Sequence, residues 1–287
     1  MKYGNDYVDE KYSPILEPNL FCDTILIPGV TYNDDYEGDV HAGAVKIYKE
    51  TQADQKDPSK PAGDFTDEAT SNELIDLLLN NSYRKSKKIY QVTANSCPYN
   101  KAEKNLSLAI AENRRDRQAS ALACLVNEGT ISKDTEAITS ANVKDKIVNA
   151  RTELRKKHVY PNVVLASVDA FAEMLKAAGK EYTPTTNERI VSSGQVGTWL
   201  GMLWLEADAI EGTAKYYDYT GTLKTIKLDD VELAMYQSTT FHIVDNLTMM
   251  RLKDSEHFTG VKAQNEINTG FRVTNNNMVL IKKKASA

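Results

Sequence analysis

A chain of 287 residues can bury a substantial core in one elaborate domain or two. Its 26% charged and 41% hydrophobic content excludes a disordered protein, and its net charge of −5 argues against a chain built to grip nucleic acid, though not against a local basic patch. Its three cysteines, Cys22, Cys97 and Cys124, form neither a CxxC pair nor a His/Cys cluster and fit reduced thiols better than a disulfide framework. The amino terminus lacks a signal-peptide core and no run approaches eighteen apolar residues, so a cytoplasmically made, soluble protein without a membrane partner is expected.

Residues 1 to about 25 are polar and aromatic, with Tyr3, Tyr7, Tyr12, Pro14 and Pro18. They read either as an extended arm docked on another surface or as a frayed terminus. Thr24-Ile-Leu-Ile-Pro-Gly reads as a short strand ended by a Pro-Gly turn. Asp34, Asp35, Glu37 and Asp39 follow without EF-hand spacing, which makes a solvated acidic loop rather than a calcium site. Ala44-Val-Lys-Ile-Tyr-Lys alternates as a strand does, and a long polar excursion over 51–64 comes next. The chain returns through Leu74-Ile-Asp-Leu-Leu-Leu, strand or short helix, and the basic run Arg84, Lys85, Lys87, Lys88 leads into a strand from Ile89 to Thr93. Strands flanking so long a polar loop suggest a projecting hairpin arm with an external job. The basic run reads as a solvated face.

From Pro98 to Gly129 no proline or glycine interrupts the chain, and the stretch reads as one long helix. Cys97-Pro98 marks its start, Asn100 with Glu103 suggests a cap, and Gly129 stands where a left-handed residue ends a helix. Ala102, Leu106, Ala109, Ile110, Ala121, Leu122, Leu125 and Val126 supply an apolar stripe that Arg114 to Gln118 interrupt. A rod of about 40 Å with so narrow a stripe must lie across other elements.

After a polar linker to Ser140, Val143, Ile147, Ala150 and Leu154 mark the buried face of a helix over about 142–157. Pro161 to Ser167 is a short, continuously apolar strand, as expected when both faces are covered. Ser167 caps a further helix with Phe171, Met174, Leu175 and Ala178 inward and Gly179 as its stop. Gly194, Gly197 and Gly201 match no phosphate-loop spacing and read as a turn entering a buried strand, Trp199 to Leu205. Strand-like pieces follow at Ala214–Tyr219, Thr222–Leu228, Thr240–Val244 and Met278–Ile281, with turns at Gly221, Asp229-Asp230 and Asn275 to Asn277.

No constellation of chemistry-bearing residues stands out in the chain. His41, His158, His242 and His257 are dispersed, no serine sits in a G-x-S-x-G elbow, and Cys124 reads as a small core residue. No catalytic, cofactor-binding or metal-ligating residue, and no cofactor, is assigned.

The order of elements resembles the major capsid proteins of tailed bacteriophages. Three stretches carry the likeness in texture: Tyr160-Pro-Asn-Val-Val-Leu-Ala-Ser-Val-Asp-Ala-Phe, Gly194-Gln-Val-Gly-Thr-Trp-Leu-Gly and Asn268-Thr-Gly-Phe-Arg-Val-Thr-Asn-Asn-Asn-Met-Val. The resemblance implies an α+β, Hong Kong 97-like fold: an N-terminal arm at 1–30, an extended β-hairpin loop and peripheral domain at 31–134 with its spine helix at 99–128, an α/β axial domain at 135–265, and C-terminal strands returning to the body at 266–287. It further implies a non-enzymatic shell subunit assembling into pentamers and hexamers of an icosahedral capsid around double-stranded DNA, made in a host bacterial cytoplasm. The acidic balance suits a shell that encloses DNA without specific binding. Implied partners are copies of itself, a portal protein and, because strand sequence begins by Thr24, a separate scaffolding protein. Lys56, Lys60 and Asn275 to Asn277 are chemically suited to the Lys–Asn crosslinks of some relatives. Alternatives are an encapsulin-type bacterial compartment shell, an unrecognised α/β enzyme, or another virion component such as a tail-tube protein.

Overall fold

The computed structural model describes residues 25–35, 44–50, 72–91, 101–181, 183–184, 196–208, 210 and 212–285. In chain order the elements begin with β1 (Ala44–Glu50), β2 (Asn72–Leu78), β3 (Asn81–Tyr90) and α1 (Lys101–Glu128). There follow β4 (Thr130–Ile131), α2 (Val143–Lys156), β5 (Val163–Ala166), α3 (Val168–Ala178), β6 (Thr183–Pro184), β7 (Val196–Trp199) and β8 (Met202–Glu206). The chain ends through β9 (Thr213–Tyr217), β10 (Leu223–Lys227), β11 (Val231–Tyr236), β12 (Phe241–Asp254), β13 (Gly260–Val273) and β14 (Val279–Lys283). The chain divides into two compact units. One takes in Ser82–Asp116 and Leu247–Ile267, and the other takes in Cys22–Asn81, Arg117–Asn246 and Asn268–Ala287.

In the larger unit a seven-stranded mixed sheet runs in the order β4-β14-β11-β5-β8-β7-β6. Helices α2 and α3 cover one face, where Val143, Ile147, Leu154, Phe171 and Met174 meet Val164, Ala166, Trp204, Leu233, Met235 and Leu280. Alternation turns Val279 and Ile281 to the opposite face. There the end of α1 rests on them: a β-carbon on Gly129 would lie 2.7 Å from Val279 Cγ1 and 3.0 Å from Ile281 Cγ1. All four residues of β5 are buried, as its unbroken apolar run predicts for a strand covered on both sides. Ser167 accepts the Ala170 N–H to cap α3, and Gly179 follows its last residue.

In the smaller unit the order β12-β13-β3 makes a three-stranded sheet. The first half of α1 lies on one of its faces, and charge ties the two together. Lys85 meets Asp116 at 2.7 Å and Lys87 meets Glu112 at 2.5 Å. Residues two apart on a strand and four apart on a helix are both separated by about 6–7 Å, so the two ion pairs are in step. The Asn113 side-chain amide donates to the Tyr83 carbonyl at 3.3 Å and also reaches the Asn265 side chain.

Several expectations are corrected. The run 84–88 lies within β3 instead of preceding a strand at 89–93, because its inward lysines find carboxylates on α1. Arg117 and Gln118 do not break the buried stripe of α1: both are buried, Arg117 against Asp245 and Gln118 accepting the Ile25 N–H. Gly129 is not left-handed; it is a glycine because there is no room for a side chain. Ile25 to Gly29 is not a strand but turns back, with Ile27 O accepting the Thr31 N–H at 2.9 Å. Trp199 to Leu205 is a hairpin rather than one strand: Leu200 (φ 53°) and Gly201 (φ 74°) form a two-residue turn between β7 and β8. The sequence reading of a strand or helix at 74–79 resolves as β2, antiparallel to β1 from Ala44↔Leu78 to Glu50↔Asn72. The start signals at Cys97, Pro98 and Asn100, most of the terminal arm, Glu37, Asp39, the excursion at 51–64 and Gly194 lie outside the described residues.

Candidate assembly surfaces

Two hairpins of the larger unit each form a sheet of only two strands, β1–β2 and β9–β10. An isolated two-stranded ribbon is marginal in water, so each must lean on something else. The inner face of β1–β2 does so through Ile75 and Leu77, both buried. Its outer face carries Tyr48 directly across from Leu74, 73% and 50% exposed. The β9–β10 hairpin repeats the arrangement. Ala214 and Tyr216 face inward, while Tyr217 stands across from Leu223 in the open, 44% and 49% exposed. An aromatic–leucine pair in direct cross-strand register is a compact apolar knob. The larger unit carries two of them, both open to solvent.

The second hairpin is held by side-chain hydrogen bonds from β3 and α1. Asn81 imitates a strand neighbour: its side chain accepts the Tyr217 N–H at 2.8 Å and donates to the Tyr217 carbonyl at 3.1 Å. Ser120 on α1 donates to the Lys215 carbonyl, and Asn127 donates to the Tyr216 hydroxyl, both at 2.8 Å. Asp218 closes the turn, accepting the Thr220 and Thr222 N–H groups at 2.9 Å each. Burial opposes charge on Asp218, but these bonds outweigh it and hold its carboxyl below the usual range. Arg272 stacks over the Tyr219 ring at 3.6 Å and pairs with Glu128 at 3.1 Å. Burial raises the Glu128 carboxyl against the pull of Val273 N–H and Arg272.

The polar linker after α1 is stitched down by charge. Lys282 of β14 is 2% exposed, and its ammonium donates to the Glu136 carbonyl at 2.6 Å and the Asp134 carbonyl at 3.1 Å. Glu232 lies 3.6 Å from Lys282 and accepts the Ile138 N–H at 2.8 Å. Lys146 bonds Asp134 and Glu136, which raises its own pKa and lowers that of Glu136. The outermost strands of the large sheet, β4 and β6, have two residues each.

No catalytic centre takes shape among the described residues. They bring no three His, Cys, Asp or Glu residues together as a metal site. Cys124 is fully buried and burial pushes its thiol well up, so it is not a nucleophile; Cys22 and Cys97 lie outside the described residues. His242 is buried and its pKa is pushed down to about 4, too low for a base working near neutrality. A cleft of about 410 Å³ gathers Asp169, Asp208 and Asp229, but its serine, Ser167, is already committed to capping α3. A second cleft, about 660 Å³, runs along β1 past Asn33, Tyr48, His242 and Thr274. No described helix is long and apolar enough to cross a membrane.

No family model matches the chain, and no curated protein matches it in sequence. Solved structures do. A chain from Mycobacterium phage Che8 is similar over 99% of both chains, at 16% identity and a TM-score of 0.69. The capsid structure of cyanophage P-SCSP1u covers 98% of this chain and 94% of its own, at 8% identity and a TM-score of 0.68. The holo-SrpI encapsulin complex of Synechococcus elongatus PCC 7942 covers 87% of each, at 11% identity and a TM-score of 0.52. Likeness over almost the whole chain at such low identity is likeness of architecture. The chain has the α+β, Hong Kong 97-like fold of phage capsid proteins.

Proposed function

We propose that this chain is the major capsid protein of a tailed bacteriophage, a structural subunit that self-associates into pentamers and hexamers of an icosahedral shell around double-stranded DNA. The observation that carries the reading is the likeness to a phage capsid structure over 98% of this chain. The exposed pairs Tyr48–Leu74 and Tyr217–Leu223 support it, as apolar knobs that neighbouring subunits would cover. In this reading β1–β2 is the extended loop, α1 the spine, and the seven-stranded sheet with α2 and α3 the axial domain. A scaffolding protein and a portal are its partners during assembly in the host cytoplasm, and the virion is its final location. Electron microscopy of the expressed protein, alone and with its scaffold, should show capsomers or closed particles. A strictly monomeric chain under every such condition would overturn the proposal.

The likeness to the encapsulin favours a second reading, a bacterial compartment shell. The contents of purified particles separate the two: packaged DNA for a capsid, an enzyme cargo for an encapsulin.

A further inference from the structure

The three-stranded sheet of the smaller unit has a face turned away from α1, and its charges are not distributed as a merely soluble surface would need. Ser255 N–H donates to the Gly260 carbonyl at 2.9 Å, and Arg251 Nε reaches Gln264 Oε1 at 3.0 Å. These contacts set β12 against β13 so that Lys253 lies across from Lys262. On the other side, Gln91 N–H donates to the Thr259 carbonyl at 3.0 Å, and Arg84 meets Glu266 at 2.7 Å. That register puts Lys88 across from Lys262. Three lysines therefore stand in one row across three adjacent strands. All three are on the face opposite α1, because their neighbours Ile89 and Ala263 are buried on the helix side.

With strands about 4.8 Å apart, the row packs three positive charges into about 10 Å. Like charges directly opposite on a sheet are destabilising. Lys253 has Glu256 at 3.3 Å, while Lys88 and Lys262 have no carboxylate within ion-pair distance among the described residues. Lysines on edge strands guard against unwanted strand addition, but Lys262 sits on the central strand, where no edge needs guarding. Ser86, Gln264 and Arg251 form the next row, and all can donate hydrogen bonds to phosphate oxygens.

We propose that this face is a contact surface for the phosphate backbone of double-stranded DNA. Duplex DNA carries a charge about every 1.7 Å along its axis, so about six phosphate charges fall within the length over which this row presents three ammonium groups. Ammonium groups on a sheet face, with no helix or ribbon to lie in the major groove, meet phosphates and not base edges, so the contact is independent of base sequence. The proposal rests on the shell reading for its biological setting and names the face that meets the enclosed polymer.

The test measures binding of the purified full-length chain to a short fluorescent duplex, by anisotropy, between about 50 and 200 mM salt. The variants are K88Q/K253Q/K262Q and, as a control, K144Q/K176Q/K227Q on the larger unit. The wild type and control should bind with a steep salt dependence. The row variant should lose at least tenfold in affinity at low salt and have a salt slope shallower by about 2–3, since each phosphate contact contributes about 0.9. Its thermal midpoint should be no lower than the wild type's, because a like-charge row has been relieved. A wild type that does not bind, or a row variant with unchanged affinity and slope, overturns the proposal. So does a row variant that keeps its DNA affinity but no longer forms particles, which assigns the row to acidic groups of a neighbouring subunit. Particle formation by the wild type is scored separately by microscopy, so failure of the shell reading is distinguishable from failure of this one.

Discussion

His242 is a buried base held in its neutral form, and the acid side of the stability profile follows from that. Burial pushes its pKa down to about 4 from an ordinary 6.5, and the nearby Thr274 hydroxyl lies 3.4 Å from Nε2. Between those values the unfolded chain takes up a proton that the folded chain refuses. The contribution is therefore fully present above about pH 6.5 and is lost as the pH falls toward 4, amounting to about 3 kcal/mol. Denaturant melts from pH 7 to 4.5 should show H242Q losing less stability than the wild type; parallel curves would reject the assignment. Gly129 makes a different residue-scale prediction. A β-carbon there would sit 2.7 Å from the Leu125 carbonyl oxygen and from Val279 Cγ1, inside the helix's own last turn and the sheet beneath it. Gly129→Ala should cost about 1–3 kcal/mol in chemical unfolding even though alanine is the better helix former.

At the scale of elements, the joint between β3 and α1 is electrostatic. The Lys87–Glu112 pair is about three-quarters buried on both sides, unlike the more open Lys85–Asp116 pair. A double-mutant cycle on K87M and E112Q should give a coupling of about 1 kcal/mol, against less than about 0.5 for K85M and D116N. Equal couplings would mean that burial does not govern the joint. The same element shows what was legible beforehand. The helix itself was readable, because 28 residues free of glycine and proline have few alternatives. So were α2, α3 and β5, whose periodic or unbroken apolar runs match one-sided and two-sided burial. The interior strand β11 was not readable: all six of its residues are buried, Glu232 included, so it has no alternation and carries a charge only the fold can neutralise. β13 was hidden by its asparagines, glutamine and glutamate, which are satisfied by partners distant in sequence such as Asn113 and Arg84. The candidate assembly surface was half legible. The alternation of β1 was plain, but that Tyr48 meets Leu74 across the strands depends on a register that no local signal specifies.

For the whole molecule, the question is whether the apolar pairs on the two hairpins are idle surface or unfinished interface. Exposed hydrophobic residues scattered singly are ordinary. Here they come in cross-strand pairs on the only two-stranded sheets among the described residues, each with its other face anchored in the larger unit. Changing them should cost the folded chain little, because those side chains touch mainly water in it. In a shell the same change recurs at every subunit contact, so even about 1 kcal/mol lost per contact compounds across the particle. Y48S/L74S and Y217S/L223S should therefore leave the thermal midpoint of the isolated chain within about 2 °C of the wild type. Sedimentation velocity should nonetheless shift the population from particles or capsomers toward free subunits, and the quadruple variant should show no particles by negative-stain microscopy. Particles of normal yield from the quadruple variant would make the pairs ornamental and place the interface on other faces. A loss of folding in either double variant would instead mean that the pairs belong to the subunit's own core, which their exposure argues against.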